Sequence, residues 1–142
     1  MVNNRVRKVA NLKQFNKKIN KIAAGIELEA NTVKKKVAIA IDQVVTLATP
    51  VDTGRARANW RVGIDAPVQG TTEDTDKNGQ ATLQAAKDKI NSTDSGEDIF
   101  ISNSLPYIGK LNDGSSAQAP AGFVEKAIQK GINAVANARI IK

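Results

Sequence analysis

The chain has 142 residues, a net charge of +7, and neither cysteine nor histidine. It is the length of one domain, and it lacks the side chains that form disulfides, thiolate or imidazole metal sites and the commonest nucleophiles and general bases. One Trp, one Tyr and three Phe leave a modest aliphatic core, of the kind that gains stability by assembling.

The charge is uneven. Residues 1–36 hold ten Lys or Arg against Glu27 and Glu29, or +8, and the remainder holds eleven basic and twelve acidic groups, or −1. A basic segment of this kind suits an acidic protein surface or nucleic acid. Residues 1–9, with Arg5, Arg7 and Lys8, read as an irregular mobile arm. From Leu12 to Leu47 apolar residues recur at spacings of three and four (Leu12, Phe15, Ile19, Ile22, Ile26, Ala30, Val33, Val37, Ala40, Val44, Leu47), which predicts a long amphipathic helix weakened at Gly25. Its second half is expected on the local sheet and its first half as a basic arm meeting a neighbour. Lys13, Lys17 and Lys21, with Lys18 beside them, make a basic stripe along it. Without interleaved aromatics, any DNA contact would run through the phosphate backbone.

Pro50 stops the helix, because it lacks an amide hydrogen and disfavours αR at Thr49. Asp52-Thr53-Gly54 supplies a turn. From Arg57 the pattern alternates, with Ala58, Trp60, Val62 and Ile64 on one side and Arg57, Asn59, Arg61 and Gly63 on the other, which predicts a half-buried strand over 57–64. Residues 65–98 are polar and turn-rich, with eight acids against three lysines, or −5. They read as an exposed acidic insertion holding a short helix near 80–90. Residues 98–103 read as the partner strand, buried on much of both faces. Pro106 is expected to open a short helix through Leu111, a loop of small polar residues runs to Pro120, and Phe123, Ala127, Ile128, Gly131, Ile132 and Val135 define a closing helix to about Ala138. The expected class is α+β with a small antiparallel sheet. We expect one domain over 1–142, with a basic helical arm at 1–30 and a core at 31–142 that carries the insertion 65–98.

Candidate chemistry is thin. Asp52-Thr53-Gly54 matches the aspartic protease triplet, but it occurs once and is followed by Arg55 where a small or polar residue suits a shared-proton dyad. Ser115 and Ser116 have no histidine to serve as base. Glu73, Asp74 and Asp76 lack the later glutamate of a calcium loop. No catalytic, cofactor-binding or metal-ligating residue is assigned, and the expectation is a protein that is not an enzyme. Arg55, Arg57 and Arg61 suit pairing with the acidic insertion, within one subunit or between two, ahead of a solvated face or a phosphate contact. No stretch approaches the roughly 18 apolar residues of a membrane span, and no signal peptide is visible. The expected compartment is the cytosol, or a particle assembled there.

Two segments together carry a resemblance. Thr-Pro-Val-Asp-Thr-Gly-Arg-Ala-Arg-Ala-Asn-Trp-Arg-Val at 49–62 and Leu-Pro-Tyr-Ile-Gly-Lys-Leu-Asn-Asp-Gly-Ser-Ser-Ala-Gln-Ala-Pro-Ala-Gly-Phe-Val at 105–124 resemble the tail-completion and neck proteins of tailed bacteriophages, the minor-tail-protein-Z-like group. The resemblance spans 33–135 in order. The chain departs from the group in Asn112-Asp113, where a Glu-Tyr pair is common, and in the acidic insertion. What the resemblance implies is a structural virion protein, a ring between head connector and tail around the DNA channel. Its partners would be further copies of itself, in six or twelve, with portal or adaptor proteins on one side and tail-terminator or tail-tube proteins on the other. Asp52, Thr53, Gly54 and Trp60, with Pro50, would form the fold-defining corner, and Tyr107, Gly114, Pro120 and Gly122 the subunit edge. The basic arm would meet the connector or, without sequence preference, the channel DNA. The alternative is a basic nucleic-acid-binding accessory protein outside any particle.

Overall fold

The computed structural model describes the backbone of residues 30–140 and the side chains as far as Asn137. The arm residues Arg5, Arg7, Lys8, Lys13, Lys17, Lys18 and Lys21 lie outside the described residues, as does the first half of the expected long helix. Contacts divide the chain into Met1–Val33 and Lys34–Lys142. Apart from the first four residues of helix α1, the features of the fold described below lie in the second unit.

Helix α1 covers 30–48, then come α2 (Arg55–Ala58), β1 (Trp60–Ile64), α3 (Gln80–Asn91), β2 (Ile99–Asn103), α4 (Ile108–Asn112) and α5 (Phe123–Ile140). The class is α+β. β1 and β2 pair antiparallel, with Trp60 opposite Asn103, Val62 opposite Ile101 and Ile64 opposite Ile99. This register puts Trp60, Val62, Ile99 and Ile101 on one face. The core there has two clusters. Val45, Trp60, Ala119, Phe123 and Ala127 form one, and Ala38, Val62, Ala86 and Ile90 the other. Burying Ile90 or Phe123 contributes about 1.5–3 kcal/mol each.

α1 ends where Pro50 requires, at residue 48. The stripe expected from Val37, Ala40, Val44 and Leu47 is only the edge of its inner face, with Val44 half-buried against the core. The buried positions are Ala38, Asp42, Val45, Thr46 and Thr49, one residue further round the helix, and Leu47 is 40% exposed. Three polar residues therefore turn inward. One of them has a clear reason: the Trp60 indole Nε1 donates to Thr49 Oγ1 at 2.8 Å, and Thr49 Oγ1 donates to Val45 O at 2.7 Å. α5 closes against α1 at Gly131, where a Cβ would stand 2.8 Å from Ile41 Cα and N.

The first strand starts at Trp60, not at Arg57. Gly54, at φ 91°, starts a helical turn that closes through Ala58 N to Gly54 O and Asn59 N to Arg55 O. Alternation from Ala58 is met only from Trp60 on. On β2, Phe100 is 37% exposed, so this strand is not buried on both faces; its outer face lies opposite Gly63. The stretch 65–98 is no external appendage either. α3 packs on β1 and supplies Ala86 and Ile90 to the core. α4 begins at Ile108 rather than Pro106, with Leu105 buried ahead of it.

Candidate functional site at the Asp52-Thr53-Gly54 corner

The two segments that carry the resemblance meet. The side-chain amide of Gln118 lies along the backbone of Val51, with Oε1 accepting from Val51 N and Nε2 donating to Val51 O, both at 2.8 Å. A primary amide offers one acceptor and two donors at the spacing of a peptide edge, so it mimics a paired strand. Behind this contact, Ala119 and Phe123 pack on Trp60 and Val45.

Gly54 is fixed twice over. Its φ of 91° favours glycine, and a Cβ would stand 2.6 Å from Lys77 N and 2.8 Å from Asp76 N. The insertion therefore lies directly on the corner, and Asp76 N donates to Gly54 O at 3.0 Å. The three arginines hold it there. Arg55 Nε donates to Thr72 O, and its Nη2 meets Glu73 Oε1 at 2.8 Å, the one ion pair among the described residues. Arg57 donates to Thr49 O, Leu47 O and Lys77 O, so a single guanidinium caps the open carbonyls at the end of α1 and ties them to the insertion. Arg61 Nη2 donates to Gln69 O and Gly70 O. Asn59, fully buried, repeats the amide trick, donating to Thr72 O and accepting from Thr72 N. These arginines are thus engaged within the chain, chiefly with backbone carbonyls.

The acids of the insertion have local work as well. Asp76 accepts from Gly79 N, Thr82 N and Thr82 Oγ1, capping the first turn of α3. Slight burial pushes its carboxyl up, but the bonds from Thr82, Gly79 and Ala81 outweigh it and hold the group below the usual range. Asn112 joins α4 to α5. Its Nδ2 donates to both Glu125 oxygens at 3.0 Å, its Oδ1 accepts from Val124 N, and its carbonyl accepts from Gly122 N. The Asn112 bond, together with a backbone bond, lowers the Glu125 pKa. Gly114 (φ 94°) and Gly122 (φ 76°) make the turns at either end of this loop.

A cleft of about 210 Å³ opens at the corner between Asp52, Thr53, Tyr107, Leu111, Ser116 and Gln118. Its lining contains Asp52 and no second carboxylate. Ser116 Oγ accepts from Gln118 N. Tyr107 and Pro120 are exposed at the surface and Ala119 is buried beneath. Among the described residues no three carboxylates converge as a metal site, and no helix is long and apolar enough to cross a membrane.

Sequence reasoning missed Asp42. It is 1% exposed, Oδ1 has no hydrogen-bond partner among the described residues, and Thr46 Oγ1, one turn on, has none either. Burial pushes the Asp42 carboxyl up to about 7. The available signal was its place four residues from Ala38 and from Thr46.

No known protein family, curated protein or solved structure matches the chain.

Proposed function

We propose that this chain is a structural virion protein of a tailed bacteriophage, a neck or tail-completion component that forms a ring joining head connector to tail around the DNA channel. The observation that carries the reading is the union of segments 49–62 and 105–124, which resemble that group, in one corner through Gln118 and Val51. The corner is held by backbone and side-chain amide bonds over a small core, as suits a rigid wall element. Exposed apolar residues, Leu47, Phe100, Tyr107, Ile128 and Ile132, leave surfaces for further copies and for the portal-side and tail-side neighbours. A heterologous contact between copies closes into a ring when its rotation allows.

The excess charge of 1–36 favours a second reading, a nucleic-acid-binding accessory protein. Salt separates the two: phosphate binding weakens steeply and log-linearly as salt rises, whereas apolar ring contacts do not. The functional test is loss of the gene from its phage. Filled heads and separate tails should accumulate, and added purified protein should join them. Normal yields of complete particles without the protein would overturn the reading.

A further inference from the structure

A cleft of about 770 Å³ lies between β1, the loop 68–76 and α3. Its lining mixes apolar side chains, Trp60, Val62, Val68, Ala81, Ala85 and Ala86 among them, with threonines, and it carries Glu73, Asp74 and Asp76 together with Arg61 and Lys89. Arg61 already donates to Gln69 O and Gly70 O. The surrounding stretch 65–98 sums to −5, three lysines against eight acids, and of those acids only Glu73 forms an ion pair among the described residues. A partly apolar groove inside an acidic stretch fits an amphipathic segment with a basic flank, read through anchors at i, i+4 and i+7.

The chain carries such a sequence. Phe15, Ile19 and Ile22 follow that spacing, with Lys13, Lys17, Lys18 and Lys21 beside them. Another exposed apolar pair, Ile128 and Ile132 on α5, is flanked by Lys126 and Lys130 with no such run of acids around it, which suits the same lysines less well.

We propose that this cleft receives residues 12–26 of a second copy, so that each subunit offers a groove to one neighbour and a basic segment with apolar anchors to the other. This rests on the ring reading above, which requires two different complementary patches on one subunit. The acidic stretch 65–98 steers the encounter and the apolar anchors hold it.

The absence of cysteine from the chain makes the test clean. Full-length chains carrying Ile19→Cys, mixed under oxidising conditions with full-length chains carrying Ala85→Cys, an exposed wall residue of the cleft, should form a covalent pair. The double variant should give a ladder that stops at the ring number. Asp74→Lys should slow the linkage roughly tenfold at low salt and less at high salt. Circular dichroism of each variant confirms that the fold is kept. Closure of the double variant only within its own chain, or no linkage at all in folded protein, overturns the docking. Copies counted in particles report on the ring separately. Several copies per particle with no Ile19–Ala85 linkage would leave the ring standing and the docking wrong, and linkage in a chain absent from particles would do the reverse.

Discussion

Gln118 and Val51 stand 67 residues apart and bond as neighbouring strands do, through two hydrogen bonds of 2.8 Å between one side-chain amide and the N–H and C=O of one residue. The contact fastens the small-residue loop before α5 to the turn after α1, and so fixes the direction in which α5 leaves. Gln118→Ala removes both bonds at a solvent-exposed site, where each contributes about 0.5–1.5 kcal/mol. The expected loss is about 1–2 kcal/mol in urea unfolding, with faster amide exchange at Val51. Gln118→Glu keeps the acceptor and loses the donor, so it should fall near the alanine variant.

Gly131 sits inside α5, where alanine ordinarily stabilises a helix by about 1 kcal/mol. Here the added Cβ would stand 2.8 Å from the Ile41 backbone, so the two helices must part. Gly131→Ala should therefore destabilise by about 1–3 kcal/mol, and the reversed sign is the informative result. A gain in melting temperature would mean that α1 and α5 are not in contact at this point.

Asp42 makes stability depend on pH. Its carboxyl is raised from 3.8 to about 7 by burial, so the folded state keeps a proton that the unfolded chain gives up. Stability is then greatest below about pH 4 as far as this group is concerned, falls as pH rises from about 4 to 7, and stays low above that. Lys87, the one cation lining the 190 Å³ cleft beside Asp42, does not offset the burial. Asp42→Asn should flatten this slope and make the variant more stable than the parent at pH 8, by an amount on the order of a few kcal/mol. Chemical denaturation at pH 5 and pH 8 checks it, and equal slopes for both proteins would show that Asp42 is not buried as charge.

Arg57 gathers three carbonyls, from Thr49, Leu47 and Lys77. Lysine has no planar fork to reach them together, so Arg57→Lys should lose about 1–3 kcal/mol and loosen residues 72–78 more than α3. Equal protection of that loop in both proteins by hydrogen exchange would contradict the assignment.

The α+β class, the stop at Pro50, the turn at Gly54 and helix α3 were legible because each has a local cause: a missing amide, a positive φ, an apolar spacing. The inner face of α1 was not. Asp42, Thr46 and Thr49 look like an outer face in sequence, and only the Trp60 indole, eleven residues beyond Thr49, shows why one of them turns inward. The strand start was misplaced because Arg57 alternates correctly with Asn59 and Arg61, while its guanidinium serves the end of α1 from a helical turn. The insertion read as peripheral because of its charge and turn residues, although Ala86 and Ile90, one helical turn apart, are the inward positions that its helix offered and are core residues. For the candidate site, both motif segments were visible, but Gln118 carried no mark in the sequence of what it joins.

The central claim is most directly tested by counting copies of this chain per purified phage particle, by quantitative mass spectrometry against the major capsid protein. The account predicts a fixed number near six or twelve. Absence from the particle would contradict it, and the basic segment would then have to serve nucleic acid outside the virion.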